Sequence, residues 1–197
     1  MEFAFITTAL LLIAFGVLGI FDGVYLHLIK YRLYNHPESR MEHLTHTIRM
    51  IFFPPILYFL YMGNDNNSFI VGLVLVLADI IVLGLDAYLE GDSRKFMGGL
   101  PRWEYIIHLF VNGFHFAAVA VFLVIKVDLS GGHFDIRNNL SDLPGYSVML
   151  FVAKNFIPGS IVFAALHVLG LFKSGAAWLN AINDRLLSRK TISEQVK

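Results

Sequence analysis

Polar and apolar positions along this chain separate into blocks instead of alternating. Five apolar stretches, at residues 3–28, 43–62, 69–89, 103–125 and 146–172, hold most of the Leu, Ile, Val and Phe, while charged residues crowd between them and at their ends. A helix rising ~1.5 Å per residue needs about 20 apolar residues to cross a ~30 Å hydrocarbon layer, so each stretch predicts one membrane span. Pro54-Pro55 should kink the second and Pro158-Gly159 should bend the fifth. The predicted fold class is all-α: a polytopic membrane helical bundle of five transmembrane helices in residues 1–172, with a tail at 173–197. In that tail Trp178, Leu179, Ile182, Leu186 and Leu187 share one side, with Asn183, Arg185 and Arg189 on others. This predicts an amphipathic helix lying on the membrane surface.

The charges between the stretches orient the bundle. Lys30, Arg32 and Arg40 follow the first stretch, Arg94, Lys95 and Arg102 the third, and Lys173, Arg185, Arg189, Lys190 and Lys197 the fifth. Residues 63–68 carry Asp65 and no Lys or Arg, and 126–145 carry both signs. The positive-inside rule therefore predicts an outside N-terminus and a cytoplasmic C-terminus. No basic residue precedes the first stretch, which reads as a span and not a cleaved leader.

Composition agrees with a bilayer environment. The 197 residues are 56% hydrophobic and 15% charged, against about 25% charged in ordinary soluble domains. A formal net charge of zero supplies no basis for a nucleic-acid partner. The absence of cysteine excludes disulfides, thiolate-ligated haem and Cys-based zinc or iron–sulfur sites.

The second and fourth stretches are entered alike, through Arg40-x-Glu42-x-x-x-His46 and Arg102-x-Glu104-x-x-x-His108. Asp22 precedes Pro37 by the same interval as Asp86 precedes Pro101. Residues 3–62 and 69–125 therefore read as two copies of one hairpin, both starting outside. They would be parallel copies related by an axis along the membrane normal, with Glu42 and Glu104 facing one another beside it.

Asp22, Glu42, His46, Asp86, Glu104, His108 and His167 all fall at the cytoplasmic ends of the predicted spans, on five different helices. Residues four apart share a helix face, so each Glu-x-x-x-His element aims both groups at one point. Asp79, Asp86 and Glu90 make one stripe of the third span, and His115 continues the His108 face. An ionised carboxylate in hydrocarbon costs about 2.5–3.5 kcal/mol on insertion scales, so such a layer calls for partners. Two divalent metal ions would supply them, with Asp22, Glu42, His46, Asp86, Glu104, His108 and His167 as ligands. Asp79, His43, Arg49 and His115 are candidates to support them. By contrast, His27 lies about 140° around an α-helix from Asp22 and should not share its target unless the helix end unwinds. His36 and His133 read as loop residues.

The layout is similar in design to the di-iron carboxylate bundles, in which glutamates and Glu-x-x-His elements project inward from four helices. Here the spacing is one residue longer and the helices span a membrane. The expected function is a membrane metalloprotein, most simply an oxidoreductase with two divalent ions (iron favoured, zinc the variant) acting on a lipid or quinone-like substrate that enters laterally. The alternatives are a di-zinc hydrolase, although no HExxH motif is present, a b-type haem carrier using His46, His108, His115 or His167, and a small proton or cation transporter.

Overall fold

The computed structural model describes residues 1–129 and 132–195, with the side chains of all these except 187 and 189–195. The expectations placed on the side chains of Leu187, Arg189, Lys190 and Lys197 lie outside that description. Six helices follow one another: α1 (Glu2–Gly19), α2 (Arg40–Ile56), α3 (Asn66–Ser93), α4 (Arg102–Lys126), α5 (Tyr146–Gly170) and α6 (Lys173–Gln195). Two are extended by π-helix, α1 over Ile20–Lys30 and α2 over Leu57–Met62. Between α4 and α5 a short antiparallel pair joins β1 (Val127–Asp128) to β2 (Asp135–Ile136).

Local chemistry sets the helix ends. Asp65 caps α3, its carboxylate accepting from the Ser68 backbone N–H at 2.9 Å, which satisfies one of the free amides at a helix start. Gly98 and Gly99, with φ of 88° and 111°, turn the chain from α3 into α4, a conformation that L side chains resist. Helical structure runs through Pro54-Pro55 and through Pro158 without interruption. Only the first of these sites is followed by a change of helix type, the π-helix from Leu57.

Among the described residues, four helical segments are long and apolar enough to cross a membrane: Glu2–Asn35, Asn66–Met97, Arg102–Lys126 and Tyr146–Gly170. The second of the five expected spans, α2, is not among them. Its first turns carry Arg40, Glu42, His43, His46 and Arg49, which lower its average apolarity.

The closest helix pairs are α1 with α4 and α2 with α3, while α5 packs against α1 and α2. By contrast, the backbones of α3 and α4 stay apart, joined by the side-chain pairs Glu90–His108 and Asp79–His115, and no other described helix packs across the seam between them. Toward the N-terminal end of α1 the interior is apolar, with Phe5, Leu12, Leu57, Leu60, Tyr61 and Phe122 fully buried. At Gly72 the backbones of α2 and α3 come so close that a Cβ would lie 2.8 Å from Leu60 Cα, the small-residue contact that lets helices approach in lipid.

The other end of the bundle is closed by α6. Asn183 donates to the Leu28 carbonyl at 2.8 Å, Arg32 pairs with Asp184 at 2.7 Å, and Asn180 Oδ1 accepts from Tyr34 and Asn35. The docked face of α6 thus combines Leu179 with Asn180 and Asn183, while Trp178 and Leu186 are exposed. The polar residues are turned inward because the carbonyl at the end of the α1 extension and the 31–39 turn need partners.

Candidate metal centre

The π-helical end of α1 decides which of its side chains meet. A π-helix bonds i to i+5, so residues five apart lie one above the other. His27 Nε2 accordingly comes within 3.6 Å of Asp22 Oδ1. The helix end unwinds, and His27 joins the group around Asp22.

Three polar layers stack along the bundle interior. The layer nearest the 31–39 and 94–101 turns is organised by Arg94, which has no solvent exposure. Its Nη1 donates to Glu42 Oε2 at 2.6 Å, and its Nη2 and Nε both donate to Glu104 Oε1 at 2.5 and 2.8 Å. Glu42 and Glu104 are thereby held on one guanidinium. A bidentate guanidinium binds carboxylates in a fixed plane, which fixes both glutamates at once.

Above it lies the richest group of ligand atoms. Asp22, His27 and His108 each offer one such atom, all within 4.8 Å of one another. His108 Nε2 donates to Asp22 Oδ1 at 2.7 Å, and its Nδ1 meets the Glu90 carboxylate. An imidazole with a carboxylate at each nitrogen cannot satisfy both as a neutral donor, since it has one N–H. Protonation to an imidazolium, which donates from both nitrogens, or a cation on one side resolves this. Beside that group, His46 Nδ1 lies 3.4 Å from Asp86 Oδ2, while Thr45 Oγ1 donates to Asp86 Oδ1. The His27 and His46 rings touch, with centroids 4.2 Å apart.

The third layer holds Arg49, Asp79, Asn112 and His115. Arg49 donates to Asp79 at 3.0 Å and to Asn112 at 2.8 Å, and His115 Nε2 stands 3.4 Å from Asp79 Oδ2. A cavity of about 270 Å³ opens onto the second and third layers and is walled further along by Phe15, Phe53 and Ile56. It reaches the outer surface at the α3–α4 seam, where the lining residues Ala87, Tyr105 and Leu109 are exposed.

Of the seven ligands expected from sequence, Asp22, His46, Asp86 and His108 gather at the cavity. Glu42 and Glu104 are drawn to Arg94 instead. His167 is buried and within 5.6 Å of the His46 ring, but its Nε2 donates to the Gly23 carbonyl at 3.1 Å. His43 turns away from the cavity and donates to the His167 carbonyl at 3.1 Å. Arg49, Asp79 and His115 line the same cavity, deeper than the ligand group. His27, which α-helical geometry excludes, and Arg94, which resembles an orienting loop charge, carry no such signal in the sequence, while Glu90 lines the cavity with Asp79 and Asp86 of its stripe. No family model matches the chain, and neither does any curated protein or solved structure.

Proposed function

We propose that this chain is a five-span membrane metalloprotein whose Asp/Glu/His layer holds two divalent ions, iron favoured, and serves as the redox centre for an amphipathic substrate. The observation that carries this reading is the Asp22, His27 and His108 group, three convergent ligand atoms at the head of a cavity that reaches the α3–α4 seam. Glu90 completes that set, and His46 with Asp86 forms the second. Charge is consistent with the number of ions: with every histidine neutral, as a ligand must be, the six carboxylates Asp22, Glu42, Asp79, Asp86, Glu90 and Glu104 against the guanidinium groups of Arg49 and Arg94 leave four negative charges that two divalent cations would balance. A ligand set of only oxygen and imidazole nitrogen suits non-haem iron and zinc. The contact between the His27 and His46 rings favours an ion over a haem, which would need a slab of open space between its two imidazoles.

The hairpin repeat belongs to the same reading. A two-fold axis exchanging α1 with α3 and α2 with α4 would exchange the two closest helix pairs, α1–α4 and α2–α3. It would also exchange the Asp22–His108 pair with Asp86–His46, and Glu42 with Glu104 about Arg94. The helix without a counterpart, α5, covers only the α1–α2 side and leaves the α3–α4 side for lateral entry. On this reading the centre lies in the cytoplasmic leaflet.

Metal analysis of the purified protein, with its visible and electron paramagnetic resonance spectra, tests the proposal. Close to two iron ions per chain without a haem absorption band is the expected result. Protein from metal-replete cells that carries no stoichiometric metal, or that carries haem, overturns it.

A further inference from the structure

The third polar layer lies beyond the ligand group. On α4, His115 is seven residues beyond His108, about 10 Å along a helix, which is too far to share an ion. Asp79 and His115 are 3% and 2% exposed; the only contact of Asp79 Oδ2 among the described residues is the His115 Nε2 at 3.4 Å, and His115 Nδ1 has no hydrogen-bond partner among them. Arg49 Nη1 is 3.8 Å from Asp86, beyond hydrogen-bond reach, while its other nitrogens are engaged. Polar atoms left under-satisfied in an apolar interior are costly, and the three residues that carry these atoms, Asp79, His115 and Arg49, all line the cavity.

The walls at this depth are aromatic. Phe15 and Phe53 have ring centroids 4.9 and 6.0 Å from that of His115 and are edge-to-face with one another at 4.8 Å. Flat aromatic walls around a hydrogen-bonding pair suit a flat ring bearing oxygen. About 270 Å³ holds one substituted ring but not a long chain as well, so a tail must leave through the α3–α4 seam past Ala87 and Leu109.

We infer that Asp79, His115 and Arg49 form a head-group site for a hydroquinone- or phenol-type amphiphile, whose ring hydroxyl is held by Asp79 and His115 while its tail extends into lipid between α3 and α4. A ring with a second oxygen on its opposite edge spans from this layer toward His108, bringing that oxygen to the ligand group. The inference rests on reading the cavity as the substrate chamber of the metal centre, and it names the class of substrate.

The test uses the full chain in phosphatidylcholine nanodiscs under reducing, anaerobic conditions, with metal content measured on every sample. Three probes are titrated: decylhydroquinone, its dimethyl ether, and 1-decanol. Removing the O–H donors strands the buried acceptors, so the dimethyl ether should bind at least about tenfold more weakly than decylhydroquinone. The alkanol, which has the hydroxyl but no ring, should also bind weakly. Asp79→Asn and His115→Phe should each weaken decylhydroquinone binding with metal content unchanged, and Ala87→Trp should slow its association. Equal affinity for hydroquinone and dimethyl ether overturns the inference, and an alkanol that binds as tightly as the hydroquinone overturns the ring. The comparison between probes needs no variant, so a misfolded substitution does not affect it. Specific hydroquinone binding to protein that lacks metal would defeat the metal-centre reading while leaving this site standing.

Discussion

Asp22 and His27 bring a carboxylate and an imidazole to 3.6 Å although five positions separate them, a spacing that an α-helix would send to different faces. The π-helix over Ile20–Lys30 makes the contact, and π-helical segments frequently coincide with functional sites. If His27 is a ligand, His27→Ala should weaken metal binding by more than the roughly 10–100-fold typical of losing an outer partner. His133, exposed between α4 and α5, serves as the control, and His133→Ala should leave metal content unchanged. Titration of apoprotein with Fe(II) or Zn(II) reads both. Equal affinity in the two variants would remove His27 from the centre.

Arg94 joins two buried carboxylates, so its removal leaves two negative charges without a counterion. Breaking one buried pair typically costs about 3–5 kcal/mol, and Arg94→Ala should destabilise the detergent-solubilised protein by at least that much. Arg94→Lys keeps the charge but lacks the planar fork, and should fall between wild type and Arg94→Ala. The triple variant Arg94→Met, Glu42→Gln, Glu104→Gln removes all three charges and should recover much of the loss. Denaturant unfolding monitored by circular dichroism measures the series. An Arg94→Ala protein as stable as wild type would mean that the glutamates find other partners.

What could be read in advance divides along a physical line. The apolar stretches declared α1, α3, α4 and α5, because a span needs a length and an average polarity that any window reveals. The pattern also put Asp22, His46, Asp86 and His108 near one end of the predicted spans, and all four line one cavity, but Glu42 and His46, four apart on α2, meet different partners. The rest depended on departures from that geometry or on where a loop folds. His27 enters through a π-helix, which the side-chain pattern did not declare. Arg94 lies at the end of α3 and looks in sequence like any juxtamembrane charge. Only the turn made by Gly98 and Gly99, together with the arrival of α2 and α4 on either side, buries it. Glu42 and Glu104 do share one partner, but nothing in the pattern named it as Arg94.

Two glycines of α3 should respond oppositely to the same change. A Cβ at Gly72 would stand 2.8 Å from the Leu60 backbone, which cannot move aside as a side-chain tip can. Gly72→Ala should therefore force α2 and α3 apart at a cost of about 1–3 kcal/mol. Gly84 has nothing within 4 Å of that position, so Gly84→Ala should be neutral or stabilising by up to about 1 kcal/mol through helix propensity. Thermal unfolding in one detergent compares them, and a Gly72→Ala variant as stable as Gly84→Ala would contradict the close approach.

The number of spans turns on α2, whose average polarity conceals a division between its faces. Glu42, His43, His46 and Thr47 are buried, whereas Met41, Ile51 and Tyr58 are exposed and apolar. Such a helix presents hydrocarbon to lipid and polar groups to the bundle, so a window average underrates it as a span. Its far end lies with the opposite set of turns: Gly63 accepts from Lys126, and Asn66 Oδ1 from Asn138. The 31–39 turn meets α6 at the other end. If α2 crosses the membrane, a reporter inserted at Asn66 should be outside and one at the C-terminus cytoplasmic, following the basic residues of the 29–40 and 94–102 segments. A third reporter between Asn35 and Ser39 should share the side of the C-terminus. Reporters at Asn66 and at the 35–39 turn found on the same side would mean that α2 re-enters without crossing, and the five-span bundle would be wrong.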